Sequence, residues 1–128
     1  MRKNNSKLFS EDSSIFDDIR SWASKRGIYH KGDSKTQFVK LCEEVGELAR
    51  AVNKRDDGEF YDAVGDSIVV LTNLVKLYEQ ERVYIESLNN KSKFIDSEHK
   101  QVEDCLLSAY EVIKERTGKM ENGTFVKD

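Results

Sequence analysis

Proline is absent from this 128-residue sequence, and cysteine and tryptophan are scarce, at 2 and 1. Without proline no helix interior loses a backbone donor, so long uninterrupted helices are open to the chain. The cysteines, Cys42 and Cys105, stand far apart with no CxxC spacing, which argues against a disulfide framework and points to a reducing cytoplasm. Cations are not in excess: 21 Lys and Arg against 24 Asp and Glu give a formal charge of −3, so no nucleic-acid partner is expected. The longest aliphatic run, Ile68 to Leu71, falls far short of the ~20 residues that cross a bilayer. The basic start Met1-Arg2-Lys3 leads into asparagines rather than an apolar stretch, so neither a leader nor a membrane anchor is expected. What the sequence has in abundance is charge, 35% of residues against roughly 25% in an average domain. Mixed charge on that scale suits solvated helices, and the expected fold class is all-α, a single domain at this length.

Residues 1–12 are polar and unpatterned and read as a flexible N-terminal arm, followed by a helical domain over 13–118 and a tail over 119–128. A first helix is expected from Ser13 or Ser14 through Phe16, Ile19, Trp22 and Ala23 to Gly27. After a turn at Lys31-Gly32-Asp33, Ser34 and Gln37 read as an S-x-x-Q capping box, and Leu41, Val45, Leu48 and Val52 recur as the apolar stripe of a second helix. A third begins near Glu59. From Ile68 to Leu77 it is apolar on every side, which predicts burial all round and therefore a partner chain, a homodimer or homotetramer. The stretch from Glu79 to Asp96 reads as a helical extension followed by a loop. A fourth helix is expected from Asp96 or Ser97 to Gly118, with Val102, Cys105, Leu106, Ala109, Val112 and Ile113 on one face, completing a four-helix bundle.

The chemistry-bearing feature is acidic. Glu43, Glu44 and Glu47 crowd the second helix, Glu44 and Glu47 being neighbours at i, i+3, and Asp62 and Asp66 share a face of the third at i, i+4, with Asn73 further along it. If the two helices pack as neighbours, these carboxylates converge, and like charges ~4 Å apart repel by roughly 4 kcal/mol at an effective dielectric of 20, so they need protons or a cation. An all-oxygen set suits Mg²⁺ or Mn²⁺ rather than zinc, since neither His30 nor His99 has a second histidine at ligand spacing. A solvated charged face explains the same pattern, Lys40 lying four residues before Glu44 as in an ordinary surface pair. Gly46 and Gly65, each costing about 1 kcal/mol mid-helix relative to alanine, favour a close helix approach or a site.

Four blocks in order resemble the MazG-like nucleotide pyrophosphohydrolases, or all-α NTP pyrophosphatases, and most of all their short, phage-type and Gram-positive members. They are Trp22-Ala-Ser-Lys-Arg-Gly27; Lys40-Leu-Cys-Glu-Glu-Val-Gly-Glu-Leu48; Asp62-Ala-Val-Gly-Asp66 with Ser-Ile-Val-Val-Leu71; and Ala109-Tyr110 through Arg116-Thr-Gly-Lys-Met120. The resemblance implies a helical oligomer that cleaves nucleoside triphosphates to monophosphate and pyrophosphate with Mg²⁺. It implies Glu44, Glu47 and Asp66 as metal ligands, with Glu43 or Glu47 as the carboxylate near the attacking water. Ala63 stands where the family carries an acid, and Asp62, one residue earlier, is the candidate replacement; Glu111 stands where related short members carry asparagine. Lys35, Lys40, Arg116 and Lys119 are the cations placed to meet phosphates, while Trp22 and Asn73 are candidates for contacts to the nucleotide. The rival reading is a helical binding module that holds a nucleotide or a protein and has lost catalysis along with the acid at 63.

Overall fold

The computed structural model describes residues 13–89 and 99–128. These form five helices and a two-stranded sheet: α1 (Ile15–Lys25), α2 (Ile28–Lys31), α3 (Ser34–Lys54), α4 (Asp57–Asn89), α5 (Val102–Ile113), β1 (Gly118–Glu121) and β2 (Thr124–Lys127). The fold is all-α, as its sequence pattern predicts, with α3 and α4 packed as a long antiparallel hairpin and α1 laid against α4.

Local chemistry sets each boundary. Ser14 caps α1 in a capping box with Asp17, and Gly27, at φ 81, takes the left-handed conformation that turns the chain into the single turn of α2. The cap of α3 is Asp33, whose carboxylate accepts from the Thr36 amide at 2.8 Å, one residue before the expected Ser34 box. Ser34 is used elsewhere: its amide donates to Glu81 Oε1 at 2.8 Å and its hydroxyl to the other oxygen, tying the start of α3 to α4. Arg55, at φ 55, ends α3, and Asp56 accepts from the Glu59 amide at the start of α4.

The face of α4 turned to α3 carries Ala63, Ser67, Val70 and Leu77, all buried, at the spacing of one helix side. Ala51 of α3 is 1% exposed, and small residues at both helices allow a close approach. This register differs from the expected one. Val45 and Val52, predicted to face the core, are half exposed, while Glu44 and Ala51 are buried in their place. Burial all round between Ile68 and Leu77 is also not found within the chain, since Ile68 and Leu71 are exposed. α4 runs without a break to Asn89, so the helical extension is present; the loop expected after it falls within 90–98, outside the described residues.

α5 begins at Val102 and ends at Ile113, short of the expected stop at Gly118; the expected starts, Asp96 and Ser97, lie outside the described residues. It is anchored at its root. Arg20 of α1 makes a two-pronged ion pair to Glu103, at 2.7 and 2.6 Å, and the Lys100 amide donates to the buried Glu79. The stretch expected as a tail is a β-hairpin, pairing Gly118 with Lys127 through Glu121 with Thr124, and Asn122 and Gly123 both take positive φ in the turn.

Candidate active site

One cleft collects groups from four helices. α3 contributes Gln37, Lys40 and Glu44 at i, i+3, i+7; α4 contributes Asp66, Val69, Val70 and Asn73; Trp22 of α1 and Ile28 of α2 close the side. The cleft holds about 370 Å³ and is open to solvent. Glu44 lies at its base, 5% exposed, with Oε1 3.2 Å from Lys40 Nζ and Oε2 buried with no hydrogen-bond partner. A buried carboxylate oxygen without a donor is costly, and such an atom marks a place for a bound ion or proton. The Glu44 carboxylate, with Glu43 beside it, holds the Lys40 ammonium above its ordinary pKa.

The opposite wall is organised by Asn73, which is 2% exposed. Its Oδ1 accepts from the Tyr29 hydroxyl at 2.6 Å, and the Tyr29 carbonyl accepts from Gln80 Nε2 at 3.0 Å, so the amide is held from behind. Burial pushes the Tyr29 phenol up to about 12, which keeps it a donor at neutral pH. Tyr29→Phe removes that donor and leaves a buried acceptor unpaired, and a loss of about 1–2 kcal/mol is expected in urea denaturation. An unchanged midpoint would show that the bond contributes nothing.

Of the residues singled out in the sequence, Trp22, Lys40, Glu44, Asp66 and Asn73 meet in this cleft. Trp22 is 48% exposed on its wall rather than sealed in the core. The others are placed elsewhere. Glu43 is exposed on the outer side of α3, with Lys40 Nζ 3.5 Å away, and the half-buried Glu47 does not line the cleft. Asp62 opens into a neighbouring groove walled by Ile15, Phe16 and Ile19, which it shares with Asp66 but not with Glu44. Ala63 is 2% exposed and faces α3, so it lies on a different side of α4 from Asp62. Lys35 lines the grooves beside Phe38 and beside Glu81. Arg116 and Lys119 sit at the α5 to hairpin junction, away from the cleft, with Lys119 paired to Glu121 at 3.2 Å. Among the described residues no three acidic, histidine or cysteine side chains come within reach of a common metal ion. The sequence pattern gives no role to Tyr29, which falls between the first helix, ending at Gly27, and the turn at Lys31-Gly32-Asp33, and offers Gln37 only as part of a cap; the i, i+3, i+7 spacing of Gln37 with Lys40 and Glu44 is the available signal.

A family model described as the MazG nucleotide pyrophosphohydrolase domain matches residues 33–98, more than half of the chain. The chain belongs to the MazG family. The matched span contains the cleft carboxylates Glu44 and Asp66 with Lys40 and Asn73, while Trp22 and Tyr29 precede it. The MazG domain is also similar to an uncharacterized 18.2 kDa protein from the rep-hol intergenic region of Haemophilus phage HP1, 36% identical over 62 residues. That alignment covers 48% of this chain and 38% of the phage protein. No solved structure matches. No described helix is long and apolar enough to cross a membrane.

Proposed function

We propose that this MazG domain hydrolyses nucleoside triphosphates, ribo or deoxy, to the monophosphate and pyrophosphate in the cleft between Glu44 and Asp66. The observation that carries the reading is Glu44, which lines a solvent-open cleft together with Asp66 and keeps one carboxylate oxygen buried without a donor. Two hard oxygen donors fit Mg²⁺, and Mn²⁺ after it, because Mg²⁺ is commonly bound by one or two carboxylates, with water and substrate phosphates completing its shell. Such an ion, when bound, neutralises phosphate charge and favours departure of pyrophosphate.

The chain's own groups do the rest. Lys40, which lies against Glu44, meets the anionic triphosphate, and the exposed face of Trp22 stacks on the base. Asn73, fixed by Tyr29, offers its amide to the nucleotide. Glu47, one turn along α3 from Glu44 and outside the cleft lining, acts through one intervening water, which passes it the proton as the attacking water oxygen bonds to the α-phosphorus and the bond to the bridging oxygen breaks. In this assignment Glu43, paired outside with Lys40, and Asp62, in the next groove, are not needed in the reacting shell.

A second reading is favoured by one observation: Ala63, where the resemblance implies an acid, is buried, and no third carboxylate joins Glu44 and Asp66 among the described residues. A nucleotide-holding module with little turnover follows from that. Millimolar Mg²⁺ tests the shared premise. A ligand bound only by the folded state at 100 times its Kd adds about 2.7 kcal/mol, so a rise in Tm of several degrees is expected, and a flat response would count against both readings. Turnover of a nucleotide panel then separates hydrolysis from retention.

A further inference from the structure

The cleft has two chemically different ends. α3 and α4 run antiparallel, so the step from Glu44 to Gln37 on one helix and the step from Asp66 to Asn73 on the other lead the same way, two turns and roughly 10 Å each. The acids mark one end and the amides of Gln37 and Asn73 the other, with Lys40 between them and Trp22 and Ile28 along the side. Two turns is also about the reach of a nucleoside monophosphate from its phosphorus to the far edge of its base. A phosphate held at the acids therefore leaves that edge facing the amides.

The two amides differ in freedom. Gln37 is half-buried, and its side chain has no hydrogen-bond partner among the described residues, so it can turn either its oxygen or its nitrogen to a ligand. Asn73, at 2% exposure, has no such choice. Its Oδ1 accepts from the Tyr29 hydroxyl at 2.6 Å, and turning the amide over would set Nδ2 against that oxygen and leave the part-buried phenol O–H without an acceptor, which is costly. Tyr29 is itself held, through its carbonyl by Gln80 Nε2 at 3.0 Å and at its ring by Lys76, whose Nζ lies 5.9 Å from the centroid. What Asn73 turns to the cleft is therefore Nδ2, a donor without a partner among the described residues.

We infer that Asn73, locked by Tyr29, reads the nucleobase as a fixed donor and selects bases with a carbonyl at the far edge over bases with an amino group there. Uracil, thymine, guanine and hypoxanthine are favoured, and cytosine and adenine are disfavoured. The inference rests on the proposal that this cleft holds a nucleotide, with the base on Trp22. A carbonyl at pyrimidine position 4 or purine position 6 accepts from Nδ2, whereas an amino group in that place sets N–H against N–H and leaves both donors unpaired. The neighbouring ring nitrogen is a donor in the keto bases and an acceptor in the amino bases, and Gln37 can turn to meet either. Discrimination therefore falls to the amide that cannot turn, and Tyr29 acts as its positioning residue.

Fluorescence titration of the purified full chain with UMP, CMP, IMP and AMP at millimolar Mg²⁺ tests it. Trp22 is the chain's one tryptophan, so quenching reports a base stacked in the cleft. None of these ligands carries the bond that the proposed reaction breaks, so base selection is read whether or not triphosphates are turned over. UMP is expected to bind at least about 10-fold tighter than CMP, and IMP at least about 10-fold tighter than AMP. Tyr29→Phe frees the amide to turn over, and both ratios are expected to fall below about 3-fold; in Asn73→Leu they fall to about one. Loosened packing weakens both members of a pair alike and leaves their ratio unchanged, so if Asn73→Leu fails to fold, Tyr29→Phe carries the test. Equal affinities within both pairs, or tighter binding of CMP and AMP, overturn the inference and leave hydrolysis standing. Ratios that survive in Tyr29→Phe overturn it as well, since the donor is then not fixed by Tyr29. Quenching by none of the ligands overturns it together with the nucleotide site, whereas the expected ratios without triphosphate turnover uphold it and remove hydrolysis alone.

Discussion

Glu44→Gln is expected to lower pyrophosphate release at least about 10²–10³-fold while leaving the helices intact. The substitution keeps the shape of the side chain and removes the charge whose oxygen has no donor in the cleft. Stability does not follow activity. A buried carboxylate with one oxygen paired to an exposed lysine and the other without a donor is costly, so the neutral amide is expected to melt at or close to the parent's Tm without metal. The rise in Tm with Mg²⁺ disappears in the same variant, since one of two proposed ligands is gone. Asp66→Asn is expected to show the same loss of turnover, but little change in metal-free stability because Asp66 is exposed. Parent-like rates in both variants would remove the cleft from the chemistry.

The second large effect concerns stability. Arg20 is 8% exposed and donates through Nη1 and Nη2 to both oxygens of Glu103, at 2.7 and 2.6 Å, and through Nη2 to Asp17 at 2.8 Å. Arg20→Met breaks all three bonds and is expected to cost about 2 kcal/mol, because the half-covered Glu103 carboxylate loses both its donors, while Asp17 is exposed and is rehydrated by water. For a chain of this length that is a fall in Tm of roughly 6 °C. Adding Glu103→Met recovers much of the loss if the orphaned charge is its cause, and recovers nothing if packing around Arg20 is. The pH dependence has a definite sign. The Arg20 guanidinium holds the Glu103 carboxyl below its usual range, and Arg20, with Ser14, does the same to Asp17. Groups depressed in the folded state contribute stability that is present above the ordinary carboxylate range, near pH 4, and is lost as pH falls through their lowered values. Acid unfolding of Arg20→Met is therefore shallower in this range than that of the parent, and parallel curves would deny the ion pair this role.

Helix existence was legible because period 3.6 is written in the apolar residues of α1, α3 and α4. Which apolar side faces the chain's own core was not. Leu41, Val45, Leu48 and Val52 form a respectable stripe, yet the side turned to α4 passes through Glu44 and Ala51, and a pattern rule does not choose a glutamate as a core position. The same register picks Glu44 out of the acidic run, sending its oxygens inward while Glu43 points to solvent. Gly46 and Gly65, which point in the sequence to a close helix approach or a site, meet nothing within 4 Å at the position of an added Cβ, so a close approach within the chain does not account for them. Asn122-Gly123 between Met120 and Phe125 is a readable hairpin signal, but the polar residues around it give the segment the composition of a tail. The Arg20 to Glu103 pair joins residues 83 apart and leaves no local signature in a charge-rich chain.

The most direct test is product analysis. The purified chain is incubated with each ribo- and deoxynucleoside triphosphate, with and without Mg²⁺, and monophosphate, diphosphate, phosphate and pyrophosphate are resolved by chromatography. Hydrolysis at the α-phosphorus in the Glu44 and Asp66 cleft predicts monophosphate and pyrophosphate in equal amounts, dependent on Mg²⁺ and absent in Glu44→Gln. Release of diphosphate and phosphate, or turnover that survives in Glu44→Gln, would contradict it, and nucleotide retained intact at every metal concentration would make the chain a binding module.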